Sequence, residues 1–183
     1  MSQAGMAAFW RAAGALDRRL SQRARIPERQ RLLRLAALFI AHLGDSPLWA
    51  AASAIAYWRG DARLRVTVIL MAAAVLTTMA TAQAVKVLAR RPRPGGYSPG
   101  LYSRRMDKYS FPSGHAARVG AIAVAISAAY PHLTPAAWVY AFAVASARVA
   151  LGAHYLGDVA FGLLLGSAVG ALYLIGGGLF SPL

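Results

Sequence analysis

Cysteine is absent from this chain of 183 residues, and acidic residues are few, with six Asp and Glu against twenty Lys and Arg. The lack of cysteine excludes a disulfide scaffold, cysteine zinc ligands, a thiol nucleophile and an iron–sulfur cluster. Charged residues make up only 14% of the chain, whereas 58% is hydrophobic. Such a chain buries enough surface to offset its ordering entropy, and its composition is typical of a membrane protein.

The positive charge, formally +14, is concentrated in a few clusters rather than spread along the chain. Eight basic residues lie within residues 11–34, three within 59–65 and seven within 86–108, and nothing from Val159 to Leu183 is charged. A nucleic-acid-binding domain carries its basic residues on a polar surface with aromatic residues interleaved. These clusters instead punctuate apolar runs, so we expect a lipid bilayer and no nucleic acid as partner. The sequence carries no signal for an oligomeric state.

The apolar runs predict an all-α, polytopic membrane bundle with five or six transmembrane helices. A span needs about 20 apolar residues. We expect full helices at Leu64–Ala89, Ser113–Tyr130, Pro135–Leu151 and Gly157–Ile175. An earlier apolar region is broken at Gly44–Pro47, and neither half reaches this length alone. The chain crosses five times if the first half lies in the interface, and six times if the broken region crosses twice.

The predicted membrane domain is residues 32–183, and residues 1–31 form a basic N-terminal segment. Four apolar residues recur there at helical spacing, with several arginines between them. They are Phe9, Ala13, Leu16 and Leu20. This pattern is typical of an amphipathic helix lying in the membrane interface. A solvated tail is the alternative.

Three polar clusters interrupt the apolar runs at helix ends. They are Lys86 with Arg93-Pro94, then Pro112-Ser113-Gly114-His115, then Arg148 with His154 and Asp158. Alternating spans bring all three clusters to the same side of the membrane. Ionisable groups at such depth are costly, so their convergence predicts a functional site.

The residue types of this site suit a phosphate. Lys86, Arg93 and Arg148 supply positive charge for an oxyanion, and Ser113-Gly114 opens a helix whose free amides favour an anion. One histidine can attack phosphorus while the other protonates the leaving oxygen, and Asp158, four residues after His154, can hold a ring in the attacking tautomer. Since the clusters offer no carboxylate pair and no third histidine, we expect no metal and no other cofactor.

The clusters resemble the three signature motifs of the type 2 phosphatidic acid phosphatase superfamily of lipid phosphate phosphatases. In this chain the motifs read Lys86-x6-Arg93-Pro94, Pro112-Ser113-Gly114-His115 and Arg148-x5-His154-x3-Asp158. The resemblance covers about residues 32–176. It implies an integral-membrane hydrolase that removes phosphate, without a metal, from phosphatidic acid, phosphatidylglycerophosphate, or a polyprenyl phosphate or diphosphate.

The resemblance also implies a role for each motif residue. His154 would form a phosphohistidine, Asp158 would orient it, and His115 would protonate the leaving group. The phosphate would be bound by Lys86, Arg93, Ser113, Gly114 and Arg148.

Two positions depart from the family pattern. Ala147 stands where relatives often have serine before the motif arginine, and Leu156-Gly157 replaces the usual Pro-Ser before Asp158.

Two rival functions remain. One is a phosphotransferase that uses a polyprenyl diphosphate donor. The other is a non-catalytic protein that binds anionic lipids, and Ala147 favours this second rival.

Charge also bears on orientation. With five crossings, the N-terminal segment and the first catalytic segment share a side and hold fifteen basic residues, against three on the other side. The positive-inside rule then places the site on the cytoplasmic face of the cell membrane. Outside the motifs, anchoring to anionic lipid is a structural alternative for five cations, namely Arg90, Arg91, Arg104, Arg105 and Lys108. We interpret His42 as structural and Asp45 as a helix cap.

Overall fold

The computed structural model describes residues 2–94 and 108–177, in which every regular element is helical. This confirms the predicted all-α class. The polar loop expected after Pro94 lies mostly outside the described residues. The helices are α1 (Gln3–Arg23), α2 (Arg31–Leu43), α3 (Ser46–Arg59), α4 (Ala62–Ala89), α5 (Gly114–Ala129), α6 (Thr134–Ala150, preceded by the 3-10 turn Pro131–Leu133) and α7 (Leu156–Gly176).

Three helical segments in the described ranges are long and apolar enough to cross a membrane: α4, α6 with its 3-10 turn, and α7. The pair α2 and α3 meets the same criteria together but bends by 48° at its break. A pair with this bend is either one broken span or a re-entrant loop. The six-crossing arrangement would need a reversal there. The apolar helix α5 is shorter, with 16 residues.

Helix α5 lies at the centre of the bundle and packs against α4, α6 and α7. Small residues allow this, because glycines let the backbones of two membrane helices approach closely. A Cβ at Gly162 would lie 2.5 Å from the Ser113 carbonyl oxygen, and one at Gly166 would overlap the Ala117 carbonyl oxygen. The face of α7 that carries Gly162 and Gly166, its glycine face, therefore packs closely against the first turn of α5.

Four helix ends meet at one end of the bundle. Helix α4 stops at Arg90, whose backbone is left-handed, and α5 starts at Ser113, whose side chain accepts a hydrogen bond from the Ala116 amide. Beyond the end of α6, Gly152 takes a positive φ of 71°, a conformation that glycine adopts readily. This turn directs the chain back across the bundle end into α7.

The N-terminal segment is helical and lies at this same end. Helix α1 packs against the start of α7, and the Ile26 amide donates to the Ala150 carbonyl at 2.9 Å. The C-terminus of α3 lies at the opposite end, where Arg65 of α4 donates to the Tyr57 carbonyl at 3.1 Å. The N-terminal basic residues and the motif residues therefore share one end of the molecule.

Candidate active site

The structure places the three motif clusters together at the end where α4 and α6 finish and α5 and α7 begin. The Ser113 amide donates to the Asp158 carbonyl at 3.0 Å, and Arg93 Nη1 donates to the Ala153 carbonyl at 3.0 Å. Six of the predicted site residues are buried, namely Lys86, Ser113, Gly114, Arg148, His154 and Asp158. Residues that are distant in sequence thus form one polar centre inside an apolar bundle.

His154 is held through its Nδ1 atom. This nitrogen lies 2.7 Å from the Ser110 carbonyl oxygen and 3.7 Å from Asp158 Oδ2. The predicted hydrogen bond to Asp158 is therefore not formed, because the backbone carbonyl takes its place. A carbonyl only accepts, so Nδ1 carries the proton and Nε2 carries the lone pair. The tautomer is the one that a nucleophilic histidine needs.

Asp158 has other partners. Its Oδ2 accepts from the Tyr155 amide at 2.8 Å, and its Oδ1 accepts from Arg91 Nη1 at 2.8 Å. The Arg91 guanidinium also donates to Asp17 Oδ2 at 2.6 Å and stacks 4.1 Å from the centre of the Tyr155 ring. The lipid-anchor alternative for Arg91 is not supported, because its side chain neutralises a fully buried carboxylate.

Helix α1 contributes to the cap of α7. The Gly157 amide donates to Asp17 Oδ1 at 2.9 Å, and the Leu156 amide donates to Ser21 Oγ at 2.9 Å. A Cβ at Gly157 would meet Asp17 Oδ2 at 3.1 Å, so the glycine gives α1 room to approach. The departure from the family pattern at Gly157 thus accompanies hydrogen bonds from a different helix, which add to the local capping box of Tyr155 and Asp158.

Replacing Arg91 with alanine should destabilise the protein by about 3 kcal/mol, because it leaves the carboxylate of Asp158 buried without its cation. Adding Asp158→Asn to this variant should recover part of that loss, since a neutral amide needs no cation. Thermal unfolding of the purified protein in detergent measures both effects. Arg90→Ala, at the exposed neighbouring position, is the control. A double variant no more stable than Arg91→Ala would contradict this account of Arg91.

His115 is paired with an aspartate that the motifs do not contain. Its Nε2 lies 2.7 Å from Asp45 Oδ1, and Asp45 Oδ2 lies 2.8 Å from His42 Nδ1. Asp45 occupies the N-cap position of α3 but makes no side-chain capping hydrogen bond. Its expected place at a helix N-terminus is confirmed, but its carboxylate binds two histidines instead of the helix amides. Arg118, one turn after His115, donates to the Gly44 carbonyl and ties the first turns of α5 to the α2–α3 junction.

The remaining cations of the motifs also lie at this end. Lys86 Nζ donates to the Tyr109 carbonyl at 3.3 Å, and Arg148 lies close enough to His115 to interact with it electrostatically.

Among residues 2–94 and 108–177, no group of three or more His, Cys, Asp or Glu side chains is arranged to hold a metal ion.

The departure at Ala147 has a packing explanation. Ala147 is buried in a cluster with Ala37 and Ala41 of α2 and with Leu151, whereas Ser146 is exposed. Position 147 thus belongs to the close contact between α2 and α6, where a methyl group fits.

Comparison with known proteins identifies the family. Residues 66–177, more than half of the chain and including all three motif clusters, match the family model of the PAP2 superfamily. The chain belongs to the PAP2 superfamily. This PAP2 protein is an integral membrane protein.

A named relative is decaprenylphosphoryl-5-phosphoribose phosphatase from two strains of Mycobacterium tuberculosis. It is 37% identical to this PAP2 protein over 100 residues, which cover 54% of this chain and 55% of the relative. The chain therefore spans about half the length of the relatives it matches.

Two solved structures share the fold. The transmembrane PAP2-type phosphatidylglycerolphosphate phosphatase from Bacillus subtilis superposes with a TM-score of 0.69 at 28% identity, over 88% of this chain and 84% of that one. LpxE from Aquifex aeolicus gives the same TM-score at 24% identity, over 86% of this chain and 92% of that one. At that identity the likeness to LpxE concerns the fold alone.

Proposed function

We propose that this PAP2 protein hydrolyses the phosphate ester of a membrane lipid through a phosphohistidine on His154, without a metal ion. The observation that carries the proposal is the hydrogen bond of 2.7 Å between His154 Nδ1 and the Ser110 carbonyl. It leaves Nε2 as the nucleophilic atom, in a buried centre that also contains Lys86 and Arg148. These cations lower the cost of bringing a phosphate dianion to an imidazole.

The reaction takes two steps. His154 Nε2 attacks phosphorus, the P–N bond forms, and the P–O bond to the lipid breaks as His115 gives its proton to the leaving oxygen. A water then attacks phosphorus and gives a proton to His115, the P–N bond breaks, and inorganic phosphate leaves. The amides at the start of α5, after Ser113, and the side chains of Lys86, Arg93 and Arg148 bind the phosphoryl oxygens.

We propose a polyprenyl-linked phosphate as the preferred substrate class, with phosphatidylglycerophosphate and phosphatidic acid as the alternatives. The relative with 37% identity over 100 residues is named for a decaprenyl-linked sugar phosphate, and the phosphatidylglycerolphosphate phosphatase shares 28% identity over 88% of this chain. An apolar groove of about 370 Å³ runs between α6 and α7, from Phe142 to Leu156 and Gly157 beside the site. This groove is where a hydrocarbon chain would lie while its phosphate reaches His154.

Phosphate release from a panel of lipids tests this function. The panel contains decaprenylphosphoryl-5-phosphoribose, polyprenyl mono- and diphosphate, phosphatidylglycerophosphate and phosphatidic acid, each in micelles with and without EDTA. We expect free phosphate from the polyprenyl-linked lipids first, at rates that EDTA does not change. Loss of activity in EDTA would overturn the metal-free mechanism. Transfer to an added acceptor lipid without free phosphate would identify a phosphotransferase, and binding without turnover would identify a lipid-binding protein.

We further propose that the site faces the cytoplasm at the cell membrane, with α1 lying in the interface. Helix α1 exposes Phe9, Trp10 and Leu16 beside its arginines and contacts α7 at the site end. The basic N-terminus and the site therefore share a side, which the positive-inside rule assigns to the cytoplasm. Protease digestion of an N-terminal tag in oriented vesicles tests this: the tag should be protected in right-side-out vesicles, and its cleavage there would contradict the orientation.

A further inference from the structure

A second group of carboxylate and imidazole side chains lies at the bend between α2 and α3, outside the three motifs. Asp45 holds one imidazole on each oxygen, with His115 Nε2 at 2.7 Å from Oδ1 and His42 Nδ1 at 2.8 Å from Oδ2. His42 is largely exposed, whereas the Asp45 and His115 side chains are only 22% and 20% exposed. The group therefore extends from the surface to the predicted leaving-group acid.

The surroundings fix which edge of the His115 ring faces this group. A Cβ at Gly44 would lie 3.4 Å from His115 Cδ2 and 2.7 Å from Val144 Cγ1. The Cδ2–Nε2 edge of the ring is thus packed against the junction of α2 and α3, and Nδ1 lies on the other side of the ring. Arg118, which donates to the Gly44 carbonyl, holds the junction in place.

Charge explains why His115 needs this partner. The other charged groups that act on its ring are Arg118 on its own helix and Arg148 of α6, and both oppose a positive charge on the imidazole. Asp45 is the carboxylate that contacts His115 among the described residues. Burial of the ring opposes this charge as well, and the hydrogen bond to Asp45 offsets part of the opposition. A neutral ring with its proton on Nε2 has no proton on Nδ1 to give.

We propose that Asp45 is a positioning residue for protonation of the leaving group. The proposal rests on the proposed function. Asp45 holds His115 by Nε2 and stabilises its protonated form, so that Nδ1 delivers the proton. As the P–O bond breaks, this proton moves to the leaving oxygen and leaves a neutral ring still bonded to Asp45. In the second step Nδ1 takes the proton of the attacking water, which restores the charged pair. His42 fixes the other oxygen of Asp45.

A comparison of leaving groups tests the proposal, since a good leaving group needs no acid. The variant Asp45→Asn keeps the shape of the side chain and removes its charge. For a long-chain alkyl phosphate we expect kcat to fall about 100-fold with little change in KM, and for a long-chain nitrophenyl phosphate we expect a fall of less than about threefold. Asp45→Glu should recover part of the loss. Asp61→Asn, the same change at the N-cap of α4 at the opposite end, should leave both substrates unaffected.

Equal losses on both substrates, or no loss on either, would overturn the role of Asp45. Nitrogen NMR of histidine-labelled protein gives a second readout that needs no turnover. The ring of His115 should take up its second proton at a higher pH in the unmodified protein than in Asp45→Asn, and an equal pH of protonation in the two would also overturn the proposal. If the unmodified protein hydrolyses neither ester, the proposed function fails, and the NMR comparison still decides whether Asp45 sets the protonation of His115.

Discussion

His154→Ala is expected to reduce kcat by at least about 10³-fold while leaving the affinity for phosphate nearly unchanged. The substitution removes the atom that forms the P–N bond, so the first step has no nucleophile within the site. The side chains of Lys86, Arg93 and Arg148 remain in place, and these cations supply most of the attraction for the anion. Binding of inorganic phosphate by calorimetry and turnover of the lipid substrate, measured on the same preparation, separate the two effects.

The matched control is His132→Ala, because His132 is an exposed histidine in the 3-10 turn before α6, outside the motif clusters. Its removal should change neither binding nor turnover. A His154→Ala protein that keeps about a tenth of the normal kcat would show that another group attacks phosphorus, since that loss is far smaller than expected for a nucleophile.

Gly166→Leu is expected to be the most damaging single change to the fold, with a loss of about 3 kcal/mol or more in stability. A side chain at this position would collide with the carbonyl of Ala117, so α7 would have to move away from α5. That movement would also break the hydrogen bond of 3.0 Å between the Ser113 amide and the Asp158 carbonyl. Activity should therefore fall together with the thermal unfolding temperature in detergent.

The same substitution at Gly176 provides the control, because a Cβ there meets nothing within 4 Å. Gly176→Leu should unfold at the same temperature as the unmodified protein. If Gly166→Leu behaved in the same way, the contact between α5 and α7 would not depend on a glycine face, and the explanation of how α7 holds the first turn of α5 would fail.

The helices could be predicted from the sequence because their boundaries are chemical. Proline, glycine or a capping side chain stands at nearly every break between apolar runs, and the observed ends of α4 to α7 lie within about two residues of the predicted ones. The meeting of Lys86, His115 and His154 at one end also follows from the sequence, since alternating spans leave these helix ends on the same side of the bundle.

The partners of the motif residues could not be predicted, because they depend on tertiary packing. Arg91 lies 67 positions from Asp158 and 74 from Asp17, and Asp45 lies 70 positions from His115. In its local sequence, Arg91 is one of several arginines beside a proline, and an aspartate after glycine at a helix start is typical of a cap. The carbonyl that holds His154 is a backbone atom, so no side-chain pattern marks it.

Direct detection of the covalent intermediate tests the central claim. Protein mixed with labelled lipid phosphate, quenched within one turnover in alkali and analysed by mass spectrometry, should carry a phosphoryl group on His154, and His154→Ala should carry none. A label on a different residue, or rapid turnover in which His154 never acquires a phosphoryl group, would contradict the account.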